Sequence, residues 1–339
     1  MKAYISLDYS DSESRKALPS LLKFLKDKKA SFTVEKKDEK KRVESRDGFD
    51  IVIAFGGSFN VLRTFRKVSA DIPVLGISIY ENEFLPEITL EDFKRLFERI
   101  SKREYNIEKK NRLEAFVDDK PLPPVLNEIV IAANKSASTV SYSVYVDNKR
   151  MFNDEGDGVI ISTPTGSTGY SSSSGGPIIL NSADVIEITP MSSMQSNKTV
   201  IVGGDSTITI SNIDSKNGLE IICDGRFRYP FKGKKITIHR YELPANFITI
   251  NEIKKTPIEK MKTRELMILP NVDDAPPSAK FILKLLQYEG PLTQKDIINI
   301  SSLQIRTVRH GIYYLKKKGL IEERKSLRDA RLSIYKIKD

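Results

Sequence analysis

One run of residues is crowded with groups that could hold a ligand. It reads Asp157-Gly158-Val159-Ile160-Ile161-Ser162-Thr163-Pro164-Thr165-Gly166-Ser167-Thr168-Gly169-Tyr170, and Ser171 to Ser174 and Gly175-Gly176-Pro177 continue it. A buried strand entering such a loop lets backbone amides approach a ligand closely, and the hydroxyls offer hydrogen bonds to sugars or phosphates. Tyr170 is suited to stack on a base. A glycine turn, Gly203-Gly204-Asp205-Ser206-Thr207, lies between strand patterns and reads as a hairpin turn. Cys223, His239, Met191 and Met194 read as packing or surface residues.

These residues need elements to position them. Lys2 to Leu7 reads as a strand, Ser14 to Lys29 as an amphipathic helix on Leu18, Leu21, Leu22 and Leu25, and Ser31 to Val34 as a second strand. Phe49 to Phe55 is an apolar strand ending at Gly56-Gly57. A helix follows through Val68, then a buried strand from Ile72 to Ile79. Thr89 caps a helix that runs to Ser101, with Glu91 and Asp92 at its positive end. This order predicts a doubly wound α/β domain over residues 1–104. Short alternating strands follow: Asn127 to Ala132, Thr139 to Val146, Gly158 to Ser162, Thr199 to Ser211, Leu219 to Cys223 and Lys235 to His239. They predict an all-β domain over 105–250. The Lys- and Pro-containing stretch 251–276 reads as a linker.

The tail, 277–339, predicts three helices (Ala279 to Tyr288, a second opened by Thr293, and Leu303 to Lys318) with Gly319 as the stop. Two strands, Leu320 to Arg324 and Leu332 to Ile337, flank a basic loop. This is the winged-helix pattern. The tail holds 14 Lys and Arg against 6 Asp and Glu, so most of the chain's net charge of +10 sits there. That asymmetry suggests an anionic partner, with double-stranded DNA foremost. The third helix would offer Gln304, Arg306, Thr307, Arg309 and His310 to the major groove, and the wing Arg324, Lys325, Arg328 and Arg331 to phosphates. The stretch TQKDIINISSLQIRTVRHGIYYLKKKGLIEE resembles winged-helix transcriptional regulators common in bacteria and archaea.

Composition narrows the remaining classes. A single cysteine excludes a disulfide framework and a Cys-based zinc site, and two distant histidines argue against a metal centre, so none is expected. No apolar run is long enough for a membrane span, and no secretory signal is visible at the start. The expectation is a cytoplasmic protein with no membrane partner.

At the serine- and glycine-rich run the chain resembles the NAD kinase family, whose D-G-x3-S-T-P-x-G-S-T-x-Y signature it matches closely. The resemblance spans about residues 1 to 250 and includes Asn127-Glu128 and Asp224-Gly225. It implies a nucleotide site between an α/β and a β domain. On that resemblance Asn127 and Glu128 would hold ribose hydroxyls, and Thr165, Thr168, Gly169, Tyr170 and Ser173 would line the adenosine pocket. Asp157 would face the nicotinamide half, often across a subunit boundary, in a homodimer or homotetramer.

One departure shapes the functional expectation. The family places Gly-Gly-Asp-Gly-Thr where this chain has Gly56-Gly57-Ser58-Phe59-Asn60, so Ser58 stands in for the catalytic aspartate. Ser58 cannot act as a carboxylate base, and Phe59 puts a ring where phosphates would pass. The segment Gly76 to Glu83 has lost the family's asparagine and glycines and gained acidic charge. The sequence therefore suggests a catalytically impaired body that senses NAD or NADP as a bound ligand and regulates transcription through the DNA-binding tail, with no catalytic residue. The alternative is an active NAD kinase, dependent on ATP or polyphosphate and on Mg²⁺, carrying a winged-helix regulatory domain. It requires Glu81, Glu83 or Glu128 to replace the missing aspartate. Kinase chemistry on a lipid is a weaker third reading.

Overall fold

A computed structural model describes residues 1–37, 42–69, 71–80, 83–135, 138–250, 275–289, 292–301, 303–325 and 333–337. The chain divides into two compact units, 1–260 and 261–339. Most of the expected linker, 251–274, and Glu81 lie outside the described residues.

The first unit begins with β1 (Lys2–Leu7), α1 (Ser12–Asp27), β2 (Ser31–Val34), β3 (Ile51–Phe55), α2 (Ser58–Phe65), β4 (Val74–Ser78), β5 (Ile88–Thr89) and α3 (Leu90–Ser101). Strands β1 to β4 pair in parallel, in the order β2-β1-β3-β4. Every residue of β3 and β4 is buried, as a strand covered on both faces requires. Thr89 caps α3 as expected, and the structure adds a capping box in which it exchanges hydrogen bonds with Asp92.

Two later strands complete this sheet. β6 (Asn106–Lys110) pairs antiparallel with β19 (Ala245–Thr249), which lies beside β4. The first sheet thus takes strands from both sides of the 104/105 boundary, and the β domain is an insertion between β6 and β19.

The inserted layer contains two six-stranded sheets. One has the order β11-β10-β15-β18-β7-β8, from β7 (Leu113–Val117), β8 (Lys120–Pro121), β10 (Val140–Val146), β11 (Lys149–Gly156), β15 (Ile208–Asp214) and β18 (Lys235–Arg240). The other has the order β14-β13-β12-β9-β16-β17, from β9 (Glu128–Ala133), β12 (Gly158–Ser162), β13 (Val185–Met191), β14 (Val200–Gly203), β16 (Leu219–Cys223) and β17 (Phe227–Phe231). Their facing residues form one core that includes Val144, Ile161, Ile188, Ile210, Cys223 and Ile238. The single strand expected over Thr199 to Ser211 is two strands in different sheets. Gly203 to Thr207 carries the chain from one sheet to the other, so it is a crossing turn and not a hairpin.

The second unit contains α5 (Pro277–Glu289), β20 (Leu292–Thr293), α6 (Gln294–Ser301), α7 (Ile305–Lys317), β21 (Ile321–Lys325) and β22 (Ser333–Ile337). Its sheet has three strands, β20-β22-β21, one more than expected. Ala279, Ile282, Leu286, Ile297, Val308, Ile312 and Leu315 form its core. Gly311 lets α7 press against α5: a Cβ there would lie 2.6 Å from Ile282 Cδ1. No helix among the described residues is long and apolar enough to cross a membrane.

Candidate functional site

The serine- and glycine-rich run leaves the end of β12 as a tight, buried loop. Thr163 N donates to Asn127 O, and Thr163 Oγ1 donates to Leu126 O, which binds the loop to the start of β9. Gly166 is required there, because a Cβ would fall 2.2 Å from Asn127 O. Thr165 and Thr168 are buried, and Thr168 Oγ1 donates to Thr165 O at 3.3 Å. α4 (Tyr170–Ser173) follows, with Ser173 Oγ donating to Tyr170 O and the Tyr170 ring exposed.

Beneath this loop lie two buried carboxyl groups. Burial pushes Glu128 up to about 8, with the nearby Asp224 charge adding to the effect. Its carboxyl faces Gly169 and Gly225, where a Cβ would lie 3.6 and 3.8 Å from its oxygens. Burial also raises Asp224, to about 6, although it accepts hydrogen bonds from the amides of Asn127 at 2.8 Å and Leu126 at 3.0 Å. The Asn127 side-chain oxygen and the second Asp224 oxygen are buried without a hydrogen-bond partner. Buried polar atoms without hydrogen-bond partners are uncommon, and this Asp224 oxygen has the buried Arg66 guanidinium 3.9 Å away as an ion pair. Asp157 sits apart at the start of β12, exposed, with Ser192 Oγ donating to it at 2.6 Å. The Tyr170 hydroxyl still feels both Asp157 and Glu128, after burial the charges that raise it. Cys223, in the core, has its thiol pushed up to about 12 by burial, as suits a packing residue.

The other bank of the cleft is the turn after β3. Gly56 adopts φ +132°, and a Cβ there would meet Ser14 Oγ at 2.7 Å. The helix that follows is fixed from below. Asn60 Nδ2 donates to Ser6 O and Phe55 O at 2.8 and 3.0 Å. Arg63 donates through both terminal nitrogens to Glu35, at 2.6 and 2.7 Å, and Lys67 adds a third contact at 2.7 Å. Burial works to raise Glu35, but the hydrogen bonds from Arg63 and Lys67 hold it at about 2. Glu35, Arg63 and Lys67 were not among the residues expected to matter. Only their tertiary meeting reveals them.

Ser58 is not without a carboxylate. Glu83 reaches back from beyond β4, and its Oε2 accepts from Ser58 N at 2.8 Å and from the Ser58 hydroxyl. Glu83 Oε1 has no partner among the described residues and lies beside Gly57, where a Cβ would come within 3.1 Å of it. Asp8, Asp11, Ser58, Tyr80, Glu83 and Arg226 are among the residues lining a cavity of about 460 Å³ at this point. The Phe59 ring does not fill it. The ring lines the wall, stacked on Phe227 with centroids 5.6 Å apart, and the Arg226 guanidinium lies over the Phe59 ring at 4.2 Å. The Arg66 guanidinium lies over the Phe227 ring at 4.0 Å and donates to Tyr229 Oη at 2.6 Å. Among the described residues no group of three or more His, Cys, Asp or Glu side chains is placed to hold a metal ion.

In the second unit, Gln304, Arg306, Arg309 and His310 are exposed and Thr307 is half-buried, around a buried Val308. Arg309 shares a surface cavity of about 510 Å³ with Gln294, Tyr313, Lys316 and Lys317. The side chains of Arg324 and Lys325, and residues Arg328 and Arg331, lie outside the described residues.

Comparison with known proteins bears on both banks. The ATP-NAD kinase N-terminal domain model matches residues 7–105, and the ATP-NAD kinase C-terminal domain model matches 126–250. The NAD kinase of Thermococcus kodakarensis is 31% identical over 219 residues, covering 63% of this chain and 79% of that protein. An Escherichia coli NAD kinase is 34% identical over 206 residues, covering 59% of this chain and 70% of that protein. Among solved structures, an NAD kinase from Archaeoglobus fulgidus in complex with ATP aligns at a TM-score of 0.64 and 22% identity, over 78% of this chain and 99% of that one. Yeast NADH kinase complexed with NADH aligns at 0.67 and 19%, over 80% of this chain and 88% of that one, so both structures share the fold.

These findings overturn the expectation of an impaired, DNA-binding transcriptional regulator. The relatives are NAD kinases, and Ser58 is in contact with a carboxylate brought from another segment, Glu83. The positive tail by itself reports a solvated surface as readily as a nucleic-acid partner. Two domain models in chain order, the matching fold and the cleft between its two banks all point the same way: the chain belongs to the NAD kinase family.

Proposed function

We propose that the first unit transfers a phosphoryl group to the 2′-hydroxyl of NAD, with Glu83 as the general base. The observation that carries this reading is the Glu83 carboxylate anchored through Oε2 on Ser58, at the position where the family has its aspartate. Anchoring through Oε2 fixes the group and leaves Oε1, beside Gly57, without a partner among the described residues. The 2′-hydroxyl gives its proton to Oε1 as its oxygen bonds to the donor's terminal phosphorus, and the bond from that phosphorus to the leaving phosphate breaks. Positioned proton transfer of this kind contributes roughly 10²–10⁴-fold.

On this reading Asn127 and Glu128 hold the adenosine ribose, and Thr165, Thr168, Gly169, Tyr170 and Ser173 line the adenosine pocket. A protonated Glu128 can donate to a sugar oxygen, which an ionised one cannot. The orphaned Asn127 oxygen supplies an acceptor. Asp157, exposed at the strand start, faces the nicotinamide half, and a homodimer or homotetramer forms part of the reading. Magnesium is commonly held by one or two carboxylates together with substrate phosphates. Such an ion would neutralise charge on the transferring phosphoryl group.

The helix–strand–helix–helix–hairpin order of the second unit supports reading it as a winged helix appended to the kinase body. Its exposed face on α7, including Gln304, Arg306, Arg309 and His310, is the surface it offers a partner.

The test is NADP formation by the purified full chain, with ATP or polyphosphate as donor, NAD and Mg²⁺. Turnover that disappears in Glu83→Gln, with binding of NAD retained, is the expected result. A wild-type chain that binds NAD but forms no NADP removes the reading.

A further inference from the structure

Phosphate recognition in this cleft has a problem to solve. The start of a helix ordinarily welcomes anions, because its first amides are unpaired and its dipole is positive there. Here the α2 start already holds the Glu83 carboxylate on the Ser58 amide. Asp8 and Asp11 add two more acidic side chains to the same cavity. A polyphosphate chain entering it meets repulsion on that side.

One described residue of the cavity lining has the opposite charge. Arg226 follows Asp224-Gly225 at the tip of the β16–β17 hairpin, and among the described residues it forms no ion pair. Its guanidinium lies 4.2 Å from the Phe59 ring, and Phe59 is itself stacked on Phe227, the next residue of the hairpin. Cation–π contact of this kind holds an arginine flat without using its hydrogen-bond donors. The planar donor fork stays available, and it suits phosphate oxygens better than a lysine ammonium does. Phe59 also explains its own presence: it is the platform, not an obstruction.

Resting on the reading of the first unit as a phosphotransferase, we propose that Arg226, held on Phe59, is the specificity-determining residue that captures the anionic phosphate chain of the phosphoryl donor. Recognition has moved from the backbone of a glycine turn to a side chain delivered by the other domain. The same hairpin tip places Gly225 against Glu128. The donor-capturing group and the floor of the adenosine pocket are therefore one residue apart in the chain.

The experiment uses the full-length chain and compares Arg226→Met and Arg226→Glu with wild type. Donor KM is measured with ATP and with inorganic tripolyphosphate, NAD KM alongside, and binding of tripolyphosphate and of NAD is titrated calorimetrically without turnover. The expected result is a donor KM raised about 10- to 100-fold in Arg226→Met, the effect of losing a charged hydrogen-bonding partner, with NAD KM within about twofold. Arg226→Glu should be worse, and Phe59→Ala should raise donor KM by a smaller factor. An effect on ATP alone would make a nucleoside triphosphate the donor captured, and an effect on both would make it any polyphosphate chain. Unchanged donor KM and unchanged tripolyphosphate binding in both Arg226 variants overturns the proposal while leaving the phosphotransferase intact. Wild type that makes no NADP, yet binds tripolyphosphate and loses that binding in Arg226→Met, upholds Arg226 and sinks the phosphotransfer reading instead. Wild type that binds no tripolyphosphate and makes no NADP overturns both.

Discussion

The two banks of the cleft are built on opposite principles. The bank at Thr163 to Tyr170 is local: its loop is fixed by backbone hydrogen bonds to the adjacent strand β9, and its signature is contiguous. The bank at Ser58 is assembled from afar. Glu83 comes from 25 residues away, Glu35 from 28 residues before Arg63, and Arg226 from the other domain. A local device survives as a recognisable string. A tertiary one leaves no such string: of the family's Gly-Gly-Asp-Gly-Thr only Gly56-Gly57 remains here.

That contrast can be broken most sharply at Glu83. Glu83→Gln should lower kcat for NADP formation by roughly 10²–10³-fold with little change in melting temperature, since the lost function is proton acceptance. Ser58→Asp in the Glu83→Gln background should recover part of the rate, because it puts a carboxylate where the family has its aspartate. No recovery, with the fold intact, would mean that Ser58 does not mark the base's position.

The charged support below α2 gives the next largest effect. Arg63→Ala leaves Glu35 buried with only Lys67 to balance it, and breaking a buried pair costs about 3–5 kcal/mol. Denaturant unfolding should show a loss toward the lower end, since Lys67 remains. Glu35 is depressed from its ordinary value, so its contribution is present above about pH 4.5 and lost as pH falls toward 2. The Arg63→Ala deficit should therefore shrink in acid.

On the local bank, Gly166→Ala forces a methyl against the Asn127 carbonyl and should cost about 1–3 kcal/mol. It should raise NAD KM more than donor KM, the reverse of the Arg226 variants.

The last effect concerns pH. Glu128 is raised to about 8 in the folded chain, so the folded state holds a proton that the unfolded state releases above about 4.5. Wild type should lose stability as pH climbs from 5 to 8, and Glu128→Gln should lose less. Parallel melting curves across that range would show that Glu128 is not protonated in the fold.

The legibility of the sequence follows the same division. The cap at Thr89, the buried strands β3 and β4 and the loop after β12 all depend on neighbours in the chain, and each was readable there. Strand β17 was not, because Pro230 interrupts it, and only its place at a sheet edge tolerates that residue. The run from Thr199 to Ser211 looked continuous because both halves are β-branched, and only the sheet assignment separates them. Glu83 stood among three candidate carboxylates, and no spacing rule could select it. Arg226 carried no signal and Phe59 read as an obstruction, because their contact is tertiary and joins segments far apart in the chain.

The antiparallel pair of β6 and β19 has a further consequence. Lys110 and Ala245 are register partners, so the polypeptide leaves the first sheet and re-enters it at neighbouring points. A body tethered by both its ends at one seam cannot unravel without tearing two rungs from its host. Heat should therefore melt the α/β and β layers in a single cooperative step, and a truncation after Ser101 would strip the parallel sheet of its closing edge.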